Sequence, residues 1–395
     1  MTARPAVGEA AGGTLLRAAI VGTGRIAHTY DDETVHLPDV GLPPGVVHAN
    51  MYGVKPVSHA GAYRTTAGYS LVAAASRGRE RLESFGRRHG VRALYTDVPQ
   101  MLAAERPDVV SVCVQSPQKH EVVLACAEAG VRAVVVEKAF ATSLVEADKM
   151  LAACARSGTF VATHHPMRFS LMYRRARELT HNGAIGELGA ITCHSSGSLV
   201  HGGTHWFDLV RFLGGEVASV LADVPDVAAD AGARSALEGT YPDLRGHVLL
   251  TLRSGVRALV SLAGTTSGGT VVRGRSGYLT LPVSTGVFTL TQTRERTAAE
   301  SGLAALKPEG RGVRPVVWDE AVPAWPESAA AGERSSTQRM LTELHQALTG
   351  KAPFVSTGAD GAAALELAIA CYHSHLAGGP VTLPLQERRL TVLNR

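Results

Sequence analysis

The sequence predicts an α/β chain in two parts: a doubly wound, parallel sheet first, then an α+β domain with a large, mostly antiparallel open sheet. Three observations carry this. An apolar run, Ala18-Ala19-Ile20-Val21, passes directly into Gly22-Thr23-Gly24-Arg25-Ile26-Ala27. From residue 69 to residue 163, short unbroken apolar runs alternate with helical segments, the pattern of a parallel sheet covered on both faces. After residue 163, strand and hairpin signals dominate. The expected division is a flexible tail over 1–14, the parallel-sheet domain over 15–163 with an insert at 30–58, and the α+β domain over 164–395.

The glycine loop comes first. Gly22 permits a sharp turn off the strand. Gly24 keeps a side chain away from where backbone must approach a diphosphate, and the small Ala27 lets a helix pack close to the strand. The helix start then offers free N–H groups and its positive dipole end to phosphate. Set between strand and helix, the motif reads as a Rossmann dinucleotide-binding turn, with Gly22, Thr23, Gly24, Arg25 and Ile26 against the cofactor. The plain alternative is a glycine-rich turn that holds no ligand.

Residues 30–58 break the pattern. Pro38, Pro43, Pro44 and Pro56 exclude a continuous helix. Such a long connection is a lid, a binding loop, an interface arm or a disordered insertion. His59 to Thr66 resumes the interrupted first helix. Tyr69 to Ala75 is the second strand, whose end meets the adenosine ribose in a dinucleotide fold. An acid there would take the 2′-hydroxyl of NAD. The sequence instead has Ser76, Arg77 and Arg81, which suit the 2′-phosphate of NADP. NADP(H) is the favoured cofactor and NAD(H) the alternative.

Further along, Asp97 caps a helix through Ala104 with Pro99 in its first turn. Val109 to Val114 is a buried strand leading into Ser116-Pro117-Gln118-Lys119-His120. Arg132 to Val136 leads into Glu137-Lys138, Ser143-x-x-Glu146 is a capping box, and Thr159 to Thr163 completes the sheet. Ligands bind at the carboxyl ends of such strands, where Ser116, Glu137, Lys138 and His164-His165 fall. His165-Pro166-Met167-Arg168-Phe169 then opens a helix to His181. Ile191 to His194 is a strand. His201-Gly202-Gly203-Thr204-His205 precedes a helix that starts at Trp206 and stops at Gly214-Gly215. Arg253-Ser254-Gly255 turns a hairpin, residues 293–333 form an Ala/Pro/Glu-rich excursion, and helices at 337–348 and 361–377 follow.

The bulk properties fit this plan. Of 395 residues, 45% are apolar and 19% charged, with a net charge of +4, as in an ordinary globular chain with no basic run for nucleic acid. Cys113, Cys126, Cys154, Cys193 and Cys371 are odd in number and widely spaced, which reads as free buried thiols in a reducing compartment. The first 13 residues lack the apolar core of a signal peptide, and no apolar run approaches the ~20 residues of a membrane span. The expected location is the cytoplasm.

Together, Gly22-x-Gly24-x-x-Ala27, Ser116-Pro117-x-x-His120, Glu137-Lys138, Arg168-Phe169, Gly203-x-His205-x-x-Asp208 and the ending Val381-Thr382-Leu383-Pro384 resemble the glucose–fructose oxidoreductase / inositol dehydrogenase / MocA family over nearly the whole chain. The resemblance implies a nicotinamide-dependent oxidoreductase acting on a carbinol–carbonyl pair of a sugar, aminosugar or cyclitol. It implies a homodimer or homotetramer formed through the C-terminal sheet. It places Ser116, Pro117, His120 and Glu137 at the cofactor, and Lys138 at both nicotinamide ribose and substrate. His205 is the expected acid/base, and Asp208, Arg168, His165 and His201 are the expected substrate contacts. Two departures stand out: Ala139 replaces the proline after Glu-Lys, and His201 stands where the family usually has Asp. A histidine has its pKa near working pH, and a lysine reaches it by desolvation, so both types suit proton transfer. A helix-start histidine satisfied by backbone is the plain alternative for His205. His201 and His205 have the spacing of a metal pair, but the glycines between them and the lack of a third ligand argue against a metal. Two other functions remain open: a net non-redox sugar-modifying reaction with recycled bound cofactor, and a dinucleotide sensor without turnover.

Overall fold

The computed structural model describes residues 9–10, 13–33, 46–48, 51, 54–225, 238–264, 268–282, 285–295, 317–323 and 334–393. The first sheet has six parallel strands in the order Ala93–Tyr95, Tyr69–Ala75, Leu16–Val21, Val109–Val112, Ala133–Glu137 and Phe160–His164. Leu16–Val21 lies between Tyr69–Ala75 and Val109–Val112, so the chain order reverses there. In open α/β sheets that reversal opens a crevice at the strands' carboxyl ends. The strands are apolar throughout because both faces are covered; Val109, Val110 and Val134 to Val136 have no exposed surface.

The helix expected after the glycine loop is cut short. Arg25–Thr29 forms a π-helical turn and Tyr30–Glu33 one α-helical turn, and the helix resumes at His59–Thr65. Asp31 is the physical reason. Its carboxylate accepts hydrogen bonds from Val57 N, Ser58 N and Ser58 Oγ, joining the two ends of the insert. Arg88 grips Asp32 with two bonds of 2.6 Å. Between these ends, the strand Val46–His48 crosses to the second domain and pairs antiparallel with Thr285–Val287. The proline-rich remainder of the insert lies outside the described residues, as does most of the 293–333 excursion. The tail contributes a small pairing of Glu9–Ala10 with Gly13–Thr14.

Caps were partly legible. Asp97 accepts from Gln100 N at 2.7 Å and starts the helix Val98–Glu105. The box expected at Ser143 is only half made: Ser143 accepts from Glu146 N, while the Glu146 carboxylate turns to Thr142 N and Oγ1 at 2.9 and 2.6 Å. The hydroxyl of Thr142 outcompetes the N-cap amide for that carboxylate.

The second sheet has nine strands, in the order Val317–Pro323, Thr289–Glu295, Gly277–Pro282, Gly269–Gly274, Leu188–His194, Arg257–Ser261, His247–Leu252, Val217–Asp223 and Val381–Thr382. Every neighbouring pair is antiparallel except Leu188–His194 with Arg257–Ser261. The helices Gly203–Gly214 and Gly358–Ala377 pack on this sheet and on each other. The first of them begins at Gly203 rather than Trp206, so His205 sits in its first turn.

The helix Ser336–Leu348 does not stay with the second sheet. Its stripe of Met340, Leu341 and Leu344 is buried in the core of the first domain with Leu16, Ile20, Tyr63 and Phe85. Full burial of such a side chain stabilises by about 1.5–3 kcal/mol. Tyr69 OH donates to Leu341 O at 2.8 Å, and Thr337 Oγ1 to Val57 O at 2.8 Å. Among the described residues, no helix is long and apolar enough to cross a membrane.

Candidate active site

A cavity of about 950 Å³ follows the carboxyl ends of the first sheet. Ser76, Arg77, Arg81 and Asp97 line one end, Gly22 to Ile26 the middle, and Ser116, Glu137, Lys138, His201 and His205 the other. Each place in the glycine loop has its reason. Gly22 has φ +92°, and a Cβ there would stand 2.8 Å from Cys113 O. A Cβ on Gly24 would meet nothing within 4 Å, so its backbone faces open space that a phosphate can enter. Thr23 is buried, and its Oγ1 has no hydrogen-bond partner among the described residues. An orphaned hydroxyl beside exposed backbone is what a diphosphate would satisfy, and the residues present fit a dinucleotide.

Pro117 and His120 are absent from the cavity wall. They belong to the helix Ser116–Glu128, which presents only its first residue and its Gln118-Lys119, Glu121-Val122 and Ala125 positions there. Ser116 Oγ donates to Ala139 O at 3.2 Å. Lys119, which nothing in the sequence singles out, is 1% exposed and donates to Glu137 O and Ala139 O. It fastens the chain on both sides of Lys138. Desolvation of its ammonium lowers its pKa to about 7.

Glu137 is not directed wholly at the cofactor. Its Oε1 is hydrogen-bonded to His59 Nε2 at 2.8 Å and to His164 Nδ1 at 2.6 Å, both rings being fully buried. Burial alone would raise its pKa; His164 and His59 outweigh that and hold it well below the usual carboxylate range. His59 Nδ1 is bonded to Ser111 Oγ at 2.9 Å, and Ser111 Oγ to Tyr63 OH at 2.9 Å. His59, Glu137 and His164 bring three ligand-type atoms within 4.8 Å of one another. His164 thus serves buried hydrogen bonding under the site.

Lys138 and His205 come from different domains and meet at this end of the cavity. Lys138 Nζ donates to His201 O at 2.9 Å. The His201 turn is itself held by Asp243, which accepts from Ser198 Oγ, Val200 N and His201 N at 2.6–2.8 Å. Nothing near Asp243 in the sequence marks it, because its partners are 42 to 45 residues away. Desolvation lowers the Lys138 pKa. Burial, then Lys138 and His165, hold His205 well below the usual histidine range. Lys138 first, then burial, lower His201. Both shifts favour the neutral imidazole. His205 Nδ1 has no hydrogen-bond partner among the described residues, against the alternative of a ring satisfied by backbone.

Three expected substrate contacts are arranged otherwise. Arg168 makes two bonds to Asp208, from Nε at 2.8 Å and Nη2 at 2.7 Å, and donates to Val355 O at 2.6 Å. His165 Nδ1 lies 3.2 Å from Asp208 Oδ1, and Asp360 lies 3.0 Å from Arg168. None of Arg168, Asp208 and His165 lines the cavity. Opposite charges that the family resemblance assigns to a ligand have found each other, and they tie the segment after the first sheet to the two helices of the second domain.

Comparison with known proteins adds the following. Residues 16–165 match an oxidoreductase family with an NAD-binding Rossmann fold, and residues 181–383 match the C-terminal alpha/beta domain of the same family. A D-apiose dehydrogenase of Paraburkholderia graminis is 31% identical over 220 residues, 51% of this chain and 56% of that protein. A myo-inositol 2-dehydrogenase of Thermotoga maritima is 28% identical over 159 residues, 36% of this chain and 47% of that protein. The chain thus spans about half the length of these curated relatives. The WlbA dehydrogenase of Bordetella pertussis, solved with NADH and UDP-GlcNAcA, shares the fold with a TM-score of 0.68 at 18% identity, over 94% of this chain and 99% of that one. An oxidoreductase from Agrobacterium radiobacter, solved with NAD+, L-tartaric acid and magnesium, shares it with a TM-score of 0.67 at 19% identity, over 93% and 98%. With both of its domains matched in order, the chain belongs to the Gfo/Idh/MocA family of oxidoreductases.

Proposed function

We propose that the protein transfers a hydride between a nicotinamide cofactor, NADP(H) in preference to NAD(H), and a carbinol or ketone carbon of a sugar, aminosugar or cyclitol. The observation that carries this is the meeting of Lys138 and His205, whose Nδ1 has no hydrogen-bond partner among the described residues, at one end of a cavity whose middle is the glycine loop. The nicotinamide, when bound, supplies the hydride acceptor or donor. The chain supplies the proton chemistry and the positioning. Lys138, fastened by Lys119 and by His201 O, directs an ammonium at the substrate oxygen. His205 takes the proton from that oxygen during oxidation and returns it during reduction. The glycine loop receives the diphosphate, and Ser76 and Arg77 receive the 2′-phosphate.

The surface proposed for homo-oligomerisation is the open face of the nine-stranded sheet, where Leu221 and Leu259 stand 42% and 41% exposed. The test of function is absorbance at the reduced-nicotinamide band with NADP+ and with NAD+ across neutral sugars, sugar acids, aminosugars and cyclitols. Reduction of the cofactor by at least one class is expected. No reduction by any class, in either direction, would refute the reading.

A further inference from the structure

We propose that Asp243 is a positioning residue of the reaction: from behind the site it fixes the turn that anchors Lys138 and opens the His205 helix, and it sets a negative charge behind both. The inference rests on the hydride-transfer reading above. Asp243 is not on the cavity wall, so it acts through other residues. Its carboxylate accepts from Ser198 Oγ at 2.6 Å, Val200 N at 2.8 Å and His201 N at 2.7 Å. The carbonyl of the same His201 accepts from Lys138 Nζ at 2.9 Å. One residue's backbone therefore joins carboxylate to ammonium: its N–H is held by the first and its C=O holds the second. The same turn starts the helix Gly203–Gly214. Ser198 O accepts from Gly202 N and Gly203 N at 3.0 and 2.8 Å, and Val200 O from Thr204 Oγ1 at 2.8 Å. Lys138 and His205 belong to different domains, and this turn is the piece of chain that sets both.

Asp243 is itself held on both sides. Tyr372, on the helix Gly358–Ala377, donates its hydroxyl to Pro242 O at 2.9 Å and accepts from Leu244 N at 2.9 Å. Leu199 N donates to Leu244 O at 2.7 Å, and Thr240–Pro242 pairs with Thr391–Leu393. A carboxylate fixed in this way, with its donors already in place, has no reorganisation to make when the reaction begins. Its charge also bears on Lys138. Desolvation depresses the Lys138 ammonium and Arg25 adds to that, while Glu137 and Asp243 oppose it. Glu137 faces Lys138 from the first domain, and Asp243 faces it from the second. The same charge opposes the effect of Lys138 on His201. The other titratable neighbours are Lys119 and His205 beside Lys138, and Tyr372 beside Asp243.

The test is Asp243→Asn, close in shape and without the charge. With the best sugar from the nicotinamide assay, kcat is expected to fall about tenfold or more, and the KM for cofactor to stay within about twofold. The Asp243 charge favours the ammonium, so its loss lowers the pH at which Lys138 gives up its proton. The basic limb of the kcat profile is expected to move by at least about half a unit to lower pH. Lys138 can also be titrated without turnover, by competitive labelling with acetic anhydride read by mass spectrometry, and that profile is expected to move the same way. Asp243→Glu, which keeps the charge, should leave both profiles in place. A merely structural role would lower the melting temperature and move neither. Wild-type kcat in Asp243→Asn, or an unmoved labelling profile, overturns the proposal. If Asp243→Asn does not fold, Ser198→Ala decides: it takes one bond from the carboxylate and keeps the charge, so kcat should fall roughly two- to tenfold with the profiles unmoved, and an unchanged kcat overturns the proposal. A wild-type protein that turns over no sugar sinks the proposed reaction, and the labelling profile still decides whether Asp243 governs Lys138.

Discussion

Asp208 offers the sharpest contrast between what the family resemblance implies and what packing does. Asp208 is 1% exposed, and Arg168 meets it with two short bonds. Asp208→Ala removes the carboxylate and leaves the Arg168 guanidinium buried. Removing one partner of a buried pair costs about 3–5 kcal/mol. Asp360, 3.0 Å from Arg168, keeps part of the compensation, which places the cost near the lower end, ~3 kcal/mol. For a cooperative unit of 150–250 residues that is a fall in melting temperature of roughly 6–12 °C. The KM for substrate and cofactor should stay within about twofold, because the pair is off the cavity wall. The cost also has a pH signature. Burial alone would raise the Asp208 pKa, but His165 and Arg168 hold it far below the ordinary value. The stabilisation is therefore full above the unfolded-state pKa of ~3.9 and is lost as pH falls through the folded value, so wild type and variant should converge in strong acid. Arg168→Met combined with Asp208→Leu should recover at least about 1 kcal/mol relative to the alanine variant. Calorimetric melts and steady-state kinetics on the same samples decide it. A loss under about 1 kcal/mol with KM raised tenfold would refute the reasoning and return Asp208 to the substrate.

Three further outcomes are expected. Lys138→Ala and His205→Ala should each lower kcat by about 10²–10⁴, with cofactor affinity little changed in the histidine variant; near wild-type kcat in His205→Ala removes histidine from the proton step. Because the His205 pKa is depressed, the acid limb of kcat/KM for oxidation should lie below ~6.5, and His201→Asp should move it to higher pH; a limb at or above that value in wild type contradicts a neutral His205. Arg77→Ala should abolish most of a preference for NADPH over NADH in titrations of intrinsic fluorescence; equal dissociation constants in wild type would end the argument from Ser76-Arg77.

The alternation of unbroken apolar runs with helices fixed the first sheet because a strand buried on both faces has no polar side to show. The glycine loop was legible because Gly22 has no substitute at φ +92°. The buried charge network was not. Glu137 with His59 and His164, Arg168 with Asp208, and Asp243 with the His201 turn join residues 27 to 78 positions apart, and pairings of that kind leave no periodic trace. Lone charged residues beside a motif therefore read as ligand contacts when the fold had already given them partners. The insert divides in the same way. Its prolines announced irregular chain, but the closure of its ends by Asp31 depends on a contact with Val57 and Ser58 that no local rule foresees.

The placement of Ser336–Leu348 against the first sheet bears on how the chain is made. Leu16, Ile20, Tyr63 and Phe85 emerge from the ribosome early, yet Met340, Leu341 and Leu344, which share their core, emerge more than 250 residues later. The nucleotide-binding part cannot seal itself while the second sheet is still being synthesised. At the usual 5–20 residues per second, that apolar face waits on the order of ten seconds or more for its cover. Order of synthesis and order of completion thus part company: the domain begun first waits until eight of the nine strands of its neighbour's sheet have been made.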